Sequence, residues 1–126
     1  MFAIFSAFLL AFSTAVPIQP VELLAWSPTI LTPTHLTSWP RGSTQIVTWA
    51  TNNIPEEKLN STGLLLLGYM ENDSENLDIK HPLAAEFPIT SGEVTITVPE
   101  NATVRCNAIV VLFGDSGNAS PEFAIV

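Results

Sequence analysis

The hydrophobic residues of this chain fall in short runs that predict β-strands. Residues 109–113 (IVVLF) are five consecutive apolar residues, too few for a typical helix and suited to a strand covered on both faces. A second run, residues 64–70, is expected to lie beside the first. Residues 93–98 instead alternate between apolar and polar, which predicts a strand with one buried and one exposed face.

Polar residues between these runs predict turns and loops. Residues 114–118 (GDSGN) should turn the chain so that residues 119–126 return as a partner strand in a hairpin. The polar residues 71–78 are interpreted as a loop, and residues 56–58 as one helical turn. About seven strands result, near Thr29, Thr44, Leu64, Phe87, Glu93, Cys106 and Pro121. With no long amphipathic helix, this pattern predicts an all-β, antiparallel two-sheet sandwich of the immunoglobulin-like (Ig-like) type.

The N-terminus has the form of a secretory signal peptide. Residues 2–12 are apolar or small, and small residues precede a cleavage site after Ala15, although no Lys or Arg comes before the apolar run. An uncleaved membrane anchor would need about 20 apolar residues. We therefore expect a signal peptide at residues 1–15, a Pro-rich extended lead-in at 16–28, and the β-sandwich at 29–126, with no membrane insertion of the mature chain.

Composition and charge narrow the choice of partners. The chain has 126 residues, of which 47% are hydrophobic and 13% charged, as expected for one folded domain. Four Lys and Arg against twelve Asp and Glu give a net charge of −8. Such a surface repels nucleic acid and anionic lipid, so neutral or basic partners remain open, and neutral polysaccharide is among them.

Four sequence motifs predict N-glycosylation. They are the N-x-S/T sequons at Asn60, Asn72, Asn101 and Asn118, against about 1.5 expected by chance. Pro121 follows the last sequon and disfavours Asn118. These motifs agree with a secreted protein, located outside the cell or in a cell wall.

Catalytic and metal-binding motifs have simpler interpretations. The sequence GDSG at residues 114–117 surrounds the nucleophile of chymotrypsin-like proteases, but it also suits a hairpin turn, and only His35 and His81 could act as a base. The acidic residues within 71–78 could collect oxygen ligands for Ca²⁺, but their spacing does not fit an EF-hand and favours a solvated loop. We expect no catalytic residue, no metal and no cofactor.

The single cysteine and the aromatic residues are the other candidates. Cys106 cannot form an internal disulfide; we expect it to be buried at a strand start, or else to bridge two chains. Trp49 shares a strand face with Val47 and is expected in the core. Trp39, in a Trp-Pro-Arg-Gly turn, is the better exposed candidate for ligand binding; alternatively, it closes one end of the sandwich. Trp26 and Tyr69 are the remaining aromatic side chains that could stack on sugar rings.

Several segments, in their order and spacing, resemble one protein family. The segments are Pro33, residues 39–42 (WPRG), 47–49 (VTW), 62–69 (TGLLLLGY), 74–78 (SENLD), 81–83 (HPL) and 110–123 (VVLFGDSGNASPEF). From about Thr29 to the end, the chain resembles the fungal Kre/Knh-type N-terminal domain of the Ser-Thr-rich GPI-anchored family, in a form similar to basidiomycete members.

The resemblance implies an Ig-like sandwich that is secreted or held at the cell surface and takes part in cell-wall assembly and β-1,6-glucan synthesis. It brings no catalytic residues. The implied partners are cell-wall polysaccharide, β-glucan in particular, or wall proteins. Many members continue into a Ser/Thr-rich stalk and a GPI signal, whereas this sequence ends at residues 123–126 (FAIV) with neither. The alternative function is an extracellular protein-interaction or adhesion module that binds no sugar.

Overall fold

The computed structural model describes residues 26–114 and 116–126, which form β-strands and two single 3₁₀ turns but no α-helix. The predicted signal peptide and residues 16–25 of the lead-in lie outside the described residues. The strands are β1 (Ile30–Thr32), β2 (Ser38–Trp39), β3 (Thr44–Trp49), β4 (Thr62–Glu71), β5 (Ser74–Leu77), β6 (Ala84–Pro88), β7 (Glu93–Thr97), β8 (Arg105–Phe113), β9 (Gly117–Ala119) and β10 (Phe123–Ile125). The 3₁₀ turns are Glu56–Lys58, as predicted, and Ile89–Ser91.

The strands form a three-stranded and a seven-stranded sheet. The smaller sheet has the order β1-β3-β7, and the larger has the order β2-β10-β8-β4-β5, in which β6 also pairs with β4 and β9 with β8. All pairs are antiparallel except β2 with β10, which run parallel. The predicted all-β class with two sheets is therefore confirmed.

The two apolar runs are neighbours at the centre of the larger sheet, as predicted. In the register of β4 with β8, Leu64 lies opposite Phe113 and Tyr69 opposite Ala108. Successive residues of β8, such as Ile109 and Val110, point to opposite faces, yet both are at most 1% exposed. The prediction that this strand is covered on both faces is confirmed.

The main core lies between the sheets, which gives the molecule a sandwich-like form. Val47 and Trp49 of β3 and Ile96 of β7 belong to the same buried cluster as Leu65 of β4 and Val110 of β8. Full burial of each such side chain stabilises the fold by about 1.5–3 kcal/mol. The buried Trp49 indole donates from Nε1 to the Ile89 carbonyl oxygen at 2.8 Å, so its polar atom is satisfied.

The C-terminal segment returns along β8, as predicted, but as two strands. β9 pairs with the second half of β8 and β10 with the first half. Between them, Ser120 exchanges hydrogen bonds with Val110: its N–H donates to the Val110 oxygen at 2.8 Å, and its Oγ accepts from the Val110 N–H at 3.1 Å. The hydroxyl keeps the segment paired just before Pro121, which has no N–H.

The prediction of a loop at residues 71–78 is wrong, because the chain forms a hairpin there. Asn72 and Asp73 have φ values of 55° and 62°, and the residues on either side of them, Glu71 and Ser74, are paired. Two positive φ values in a two-residue turn define type I′, which matches the twist of the joined strands. Asn and Asp tolerate this conformation better than most residues. β5 therefore follows β4 directly.

The expectation of a buried Cys106 is also wrong, since the thiol is exposed. The pairing of β8 with β10 shifts register: Phe123 lies opposite Ala108, but Ile125, two residues on, lies opposite Arg105, three residues back. The extra residue on β8 is a bulge, and a bulge changes which side chains face inward. Arg105 therefore lies on the side of the buried Ile125, and Cys106 faces solvent.

Candidate functional site

Trp39, the candidate ligand-binding residue from the sequence, is buried rather than exposed. Its side chain is 3% exposed, and its ring centroid lies 4.6 Å from that of Phe123 at an interplanar angle of 60°. Strand β2 holds it there, because the Val126 N–H donates to the Trp39 carbonyl oxygen at 2.9 Å. The expectation of an exposed ring is wrong, and the alternative, a tryptophan that packs at the end of the sandwich, matches this position.

A different site is an open cleft of about 450 Å³ on the larger sheet, in the size range of small-ligand pockets. Its apolar lining is Leu67, Gly68, Leu77, Pro99, Ala102 and Ile125. Its polar lining is Tyr69, Asn76, Asp78, Asn101, Thr103 and Arg105. Strands β4 and β5 supply one wall and the connection from β7 to β8 supplies another. We call it the Tyr69–Arg105 cleft.

The guanidinium of Arg105 stacks on the ring of Tyr69, with its Cζ 3.8 Å from the ring centroid. Such a cation–π contact contributes about 0.5–1 kcal/mol at a partly exposed position. Within residues 26–114 and 116–126, no carboxylate forms an ion pair with Arg105. A guanidinium has N–H donors but no acceptor, so the cleft contains donors held in place by an aromatic ring.

Strand β5 and Asp78, the residue that follows it, line the other side of the cleft, and the Asp78 carboxylate is a hydrogen-bond acceptor. Asn76, directly opposite Tyr69 in the β4–β5 register, donates from Nδ2 to the Tyr69 carbonyl oxygen at 3.4 Å. Asp78 is fixed by its backbone, whose N–H donates to the Leu67 oxygen at 2.9 Å, and its half-exposed carboxylate lies 3.2 Å from Nδ1 of His81. The cleft thus combines hydrogen-bond donors and acceptors with apolar surface.

The four predicted glycosylation sites lie in four different parts of the molecule. Asn60 is exposed near the first 3₁₀ turn, Asn72 is exposed in the β4–β5 turn, and Asn118 is half-buried in β9, opposite Leu112. Asn101 is exposed and lines the Tyr69–Arg105 cleft, as does Thr103 of the same sequon. Only the Asn101 sequon, among the four, borders the cleft.

The residues weighed for catalysis and metal binding are not brought together. Ser116 takes part in the turn through its backbone, whose carbonyl oxygen accepts from the Gly114 N–H at 3.2 Å. In the described part of the chain, no hydrogen bond joins Ser116 to His35 or His81. Among the same residues, no group of three or more His, Cys, Asp and Glu side chains could hold a metal ion. The hairpin places Glu71 in β4, Asp73 in the turn and Glu75 in β5, and Asp78 follows β5.

A second surface feature is the outer edge of β7. At the two ends of the β3–β7 ladder, the Val98 N–H donates to the Ser43 carbonyl oxygen and the Trp49 N–H donates to the Gly92 carbonyl oxygen. In this register the even-numbered residues of β7 are hydrogen-bonded to β3. The backbone N–H and C=O groups of the residues in between, such as Thr95, point away from β3. No other strand of the described ranges pairs with this edge.

From the sequence, Tyr69 was a sugar-stacking candidate and Asp78 one of the acidic residues weighed for Ca²⁺, whereas Arg105 and Asn76 were not identified as candidates. One signal was available: Arg105 is one of only four basic residues in an acidic chain and stands two positions after the sequon at residues 101–103. The β8 bulge that directs Arg105 into the cleft leaves no pattern in the sequence.

Comparison with known proteins gives no relative: no protein-family model, curated protein or solved structure matches this chain. Across the described residues, no helix has the length and apolar character needed to cross a membrane.

Proposed function

We propose that the chain is a secreted, N-glycosylated, non-catalytic Ig-like module of the fungal cell wall that binds β-glucan or a related wall polysaccharide in the Tyr69–Arg105 cleft. The resemblance to Kre/Knh-type domains suggests the setting, and the cleft carries the proposal of a ligand. The buried Trp49 between the sheets supports the Ig-like comparison, because Ig domains bury a tryptophan in the same way.

The chemistry of the cleft suits a neutral sugar. A hydroxyl both donates and accepts, so it can accept from the Arg105 guanidinium while a neighbouring hydroxyl donates to the Asp78 carboxylate. Apolar groups such as Leu67 and Pro99 are available for the C–H surface of a sugar ring. Arg105 and Asp78 line one cleft without pairing with each other. Oδ1 of Asp78 is already in contact with His81, so a ligand hydroxyl would donate to the other carboxylate oxygen, Oδ2.

The test is retention on insoluble β-1,3-glucan, β-1,6-glucan and chitin. We expect the secreted chain to be retained on glucan, and the double variant Tyr69→Ala/Arg105→Gln to lose most of that retention. Leu36→Ala, which changes a side chain that is 82% exposed and does not line the cleft, serves as the folded control. If the wild-type chain is not retained on any of the three polymers, the polysaccharide proposal fails.

A second candidate function is a protein-interaction or adhesion module, favoured by the open edge of β7. An extended segment of a wall protein could add to this edge as a further strand and pair with Thr95 and its alternate neighbours. The test is the variant Thr95→Pro, which removes one outward N–H. Loss of binding to wall proteins in this variant, with glucan retention unchanged, would assign protein binding to the edge.

A further inference from the structure

We infer that an N-glycan on Asn101 lies in the mouth of the Tyr69–Arg105 cleft and competes there with an external saccharide. The position of the glycan follows from the geometry of the sequon. The competition rests on the function proposed above.

The acceptor asparagine is held beside the cleft by the residues around it. Ala102, the middle residue of the sequon, packs against the main core, and its N–H donates to the Pro99 oxygen at 3.2 Å. Pro99 is half-buried, so the turn is anchored on both sides of Asn101. A glycan attached at the exposed Asn101 side chain must therefore begin at the wall of the cleft.

The cleft offers the first sugars of such a glycan the same contacts as an external ligand. Arg105 can donate to sugar hydroxyls or to an acetamide oxygen, and Asp78 can accept from hydroxyls. Because the glycan is tethered, its effective concentration at the cleft is on the order of millimolar. Even weak contacts then suffice to keep the cleft partly occupied, and external saccharide binds with lower apparent affinity.

The Thr103 position provides a matched pair of variants. Thr103→Ala removes the sequon and therefore the glycan, whereas Thr103→Ser keeps an N-x-S sequon. Both lose the threonine methyl group; Thr103→Ala also loses a hydroxyl that lines the cleft, a change that by itself would weaken rather than strengthen saccharide binding. Both are to be secreted from a eukaryotic host as the full chain, and mass spectrometry of glycopeptides confirms that only Thr103→Ser carries sugar on Asn101. Thr62→Ala, which removes the sequon of Asn60 away from the cleft, controls for the loss of one glycan.

Hydrogen exchange locates the glycan without any added ligand. We expect backbone amides at residues 76–78 and 101–105 to exchange at least severalfold more slowly in Thr103→Ser than in Thr103→Ala, with no such difference between Thr62→Ala and wild type. Equal exchange in the Thr103 pair, or an Asn101 that carries no sugar in the secreted wild-type chain, would overturn the inference.

Glucan retention then tests the competition separately. We expect Thr103→Ala to be retained severalfold more strongly than Thr103→Ser. Equal, measurable retention of the two variants would show that the glycan does not compete. If neither variant is retained but exchange differs as expected, the glycan occupies the cleft and it is the proposed polysaccharide function that fails.

Discussion

The indole of Trp39 stands edge-on to the ring of Phe123, with their centroids 4.6 Å apart, and this contact joins β2 to β10. Aromatic pairs in this arrangement contribute about 0.5–1.5 kcal/mol beyond the area that they bury. Both side chains are at most 3% exposed. The contact makes Trp39 part of the fold rather than part of a sugar-binding surface.

Replacing Trp39 with alanine should therefore affect stability first. We expect Trp39→Ala to lower the free energy of unfolding by about 3–5 kcal/mol, the usual cost of truncating a buried aromatic residue. Urea unfolding measures this loss, and Leu36→Ala, at an exposed position, should stay within about 0.5 kcal/mol of wild type. A Trp39→Ala chain of wild-type stability that no longer binds glucan would instead assign Trp39 to the ligand site.

A local conformational test is available at Glu86. This exposed residue has φ of 59° and stands at the register shift between β6 and β4, where Gly63 lies opposite Phe87 and Leu64 opposite Ala85. Glycine adopts positive φ without steric cost, so Glu86→Gly should raise the free energy of unfolding by about 0.5–1 kcal/mol. Glu86→Val removes the same charge but is β-branched, and it should lower stability. A valine variant that unfolds at a higher temperature than the glycine variant would contradict a positive φ at residue 86.

The backbone pattern of β7 predicts where proline is tolerated. The N–H of Thr95 points away from β3, whereas the N–H of Gln45 in β3 faces Ile96 across the ladder. Thr95→Pro should therefore be less destabilising than Gln45→Pro by at least about 2 kcal/mol, since only the latter removes a ladder hydrogen bond. Chemical denaturation of both variants checks the difference. Equal losses would mean that the outer edge of β7 is not free.

Occupancy of the sequons should follow their exposure. We expect Asn60, Asn72 and Asn101, which are exposed, to carry glycans in the secreted chain. Asn118 is half-buried in a strand and is followed by Pro121, so it should carry little or none. Glycopeptide mass spectrometry of the secreted wild-type chain measures all four sites at once. High occupancy at Asn118 would show that β9 does not pair with β8 when the glycan is added.

The strands that sequence patterns predict are those whose side chains meet the main core. β7 alternates and residues 108–113 of β8 are continuously apolar, and burial of these patterns largely decides their conformation. β2 was missed because it has only two residues, and its pairing depends on the distant β10. β5 was missed because it is a polar edge strand, and its type I′ turn uses Asn-Asp where Asn-Gly would have been a clearer signal.

The candidate site was less predictable than the fold. Tyr69 could be nominated from its residue type, but the position of Arg105 depends on a bulge in β8, and that bulge depends on how β10 pairs. Trp39 was misplaced because a Pro-Arg-Gly sequence indicates a turn but does not show which way the preceding side chain points. Contacts between residues far apart in sequence decide both cases.

The most direct test of the account is titration of the ¹⁵N-labelled Thr103→Ala chain with soluble β-1,3- and β-1,6-gluco-oligosaccharides, followed by NMR. We predict saturable shifts of the Tyr69 and Asn76 amides and of the Arg105 Nε–H, with smaller shifts along β7, and loss of these shifts in the Tyr69→Ala/Arg105→Gln background. No shift with either oligosaccharide, or shifts confined to the edge at Thr95, would contradict a polysaccharide site in the Tyr69–Arg105 cleft.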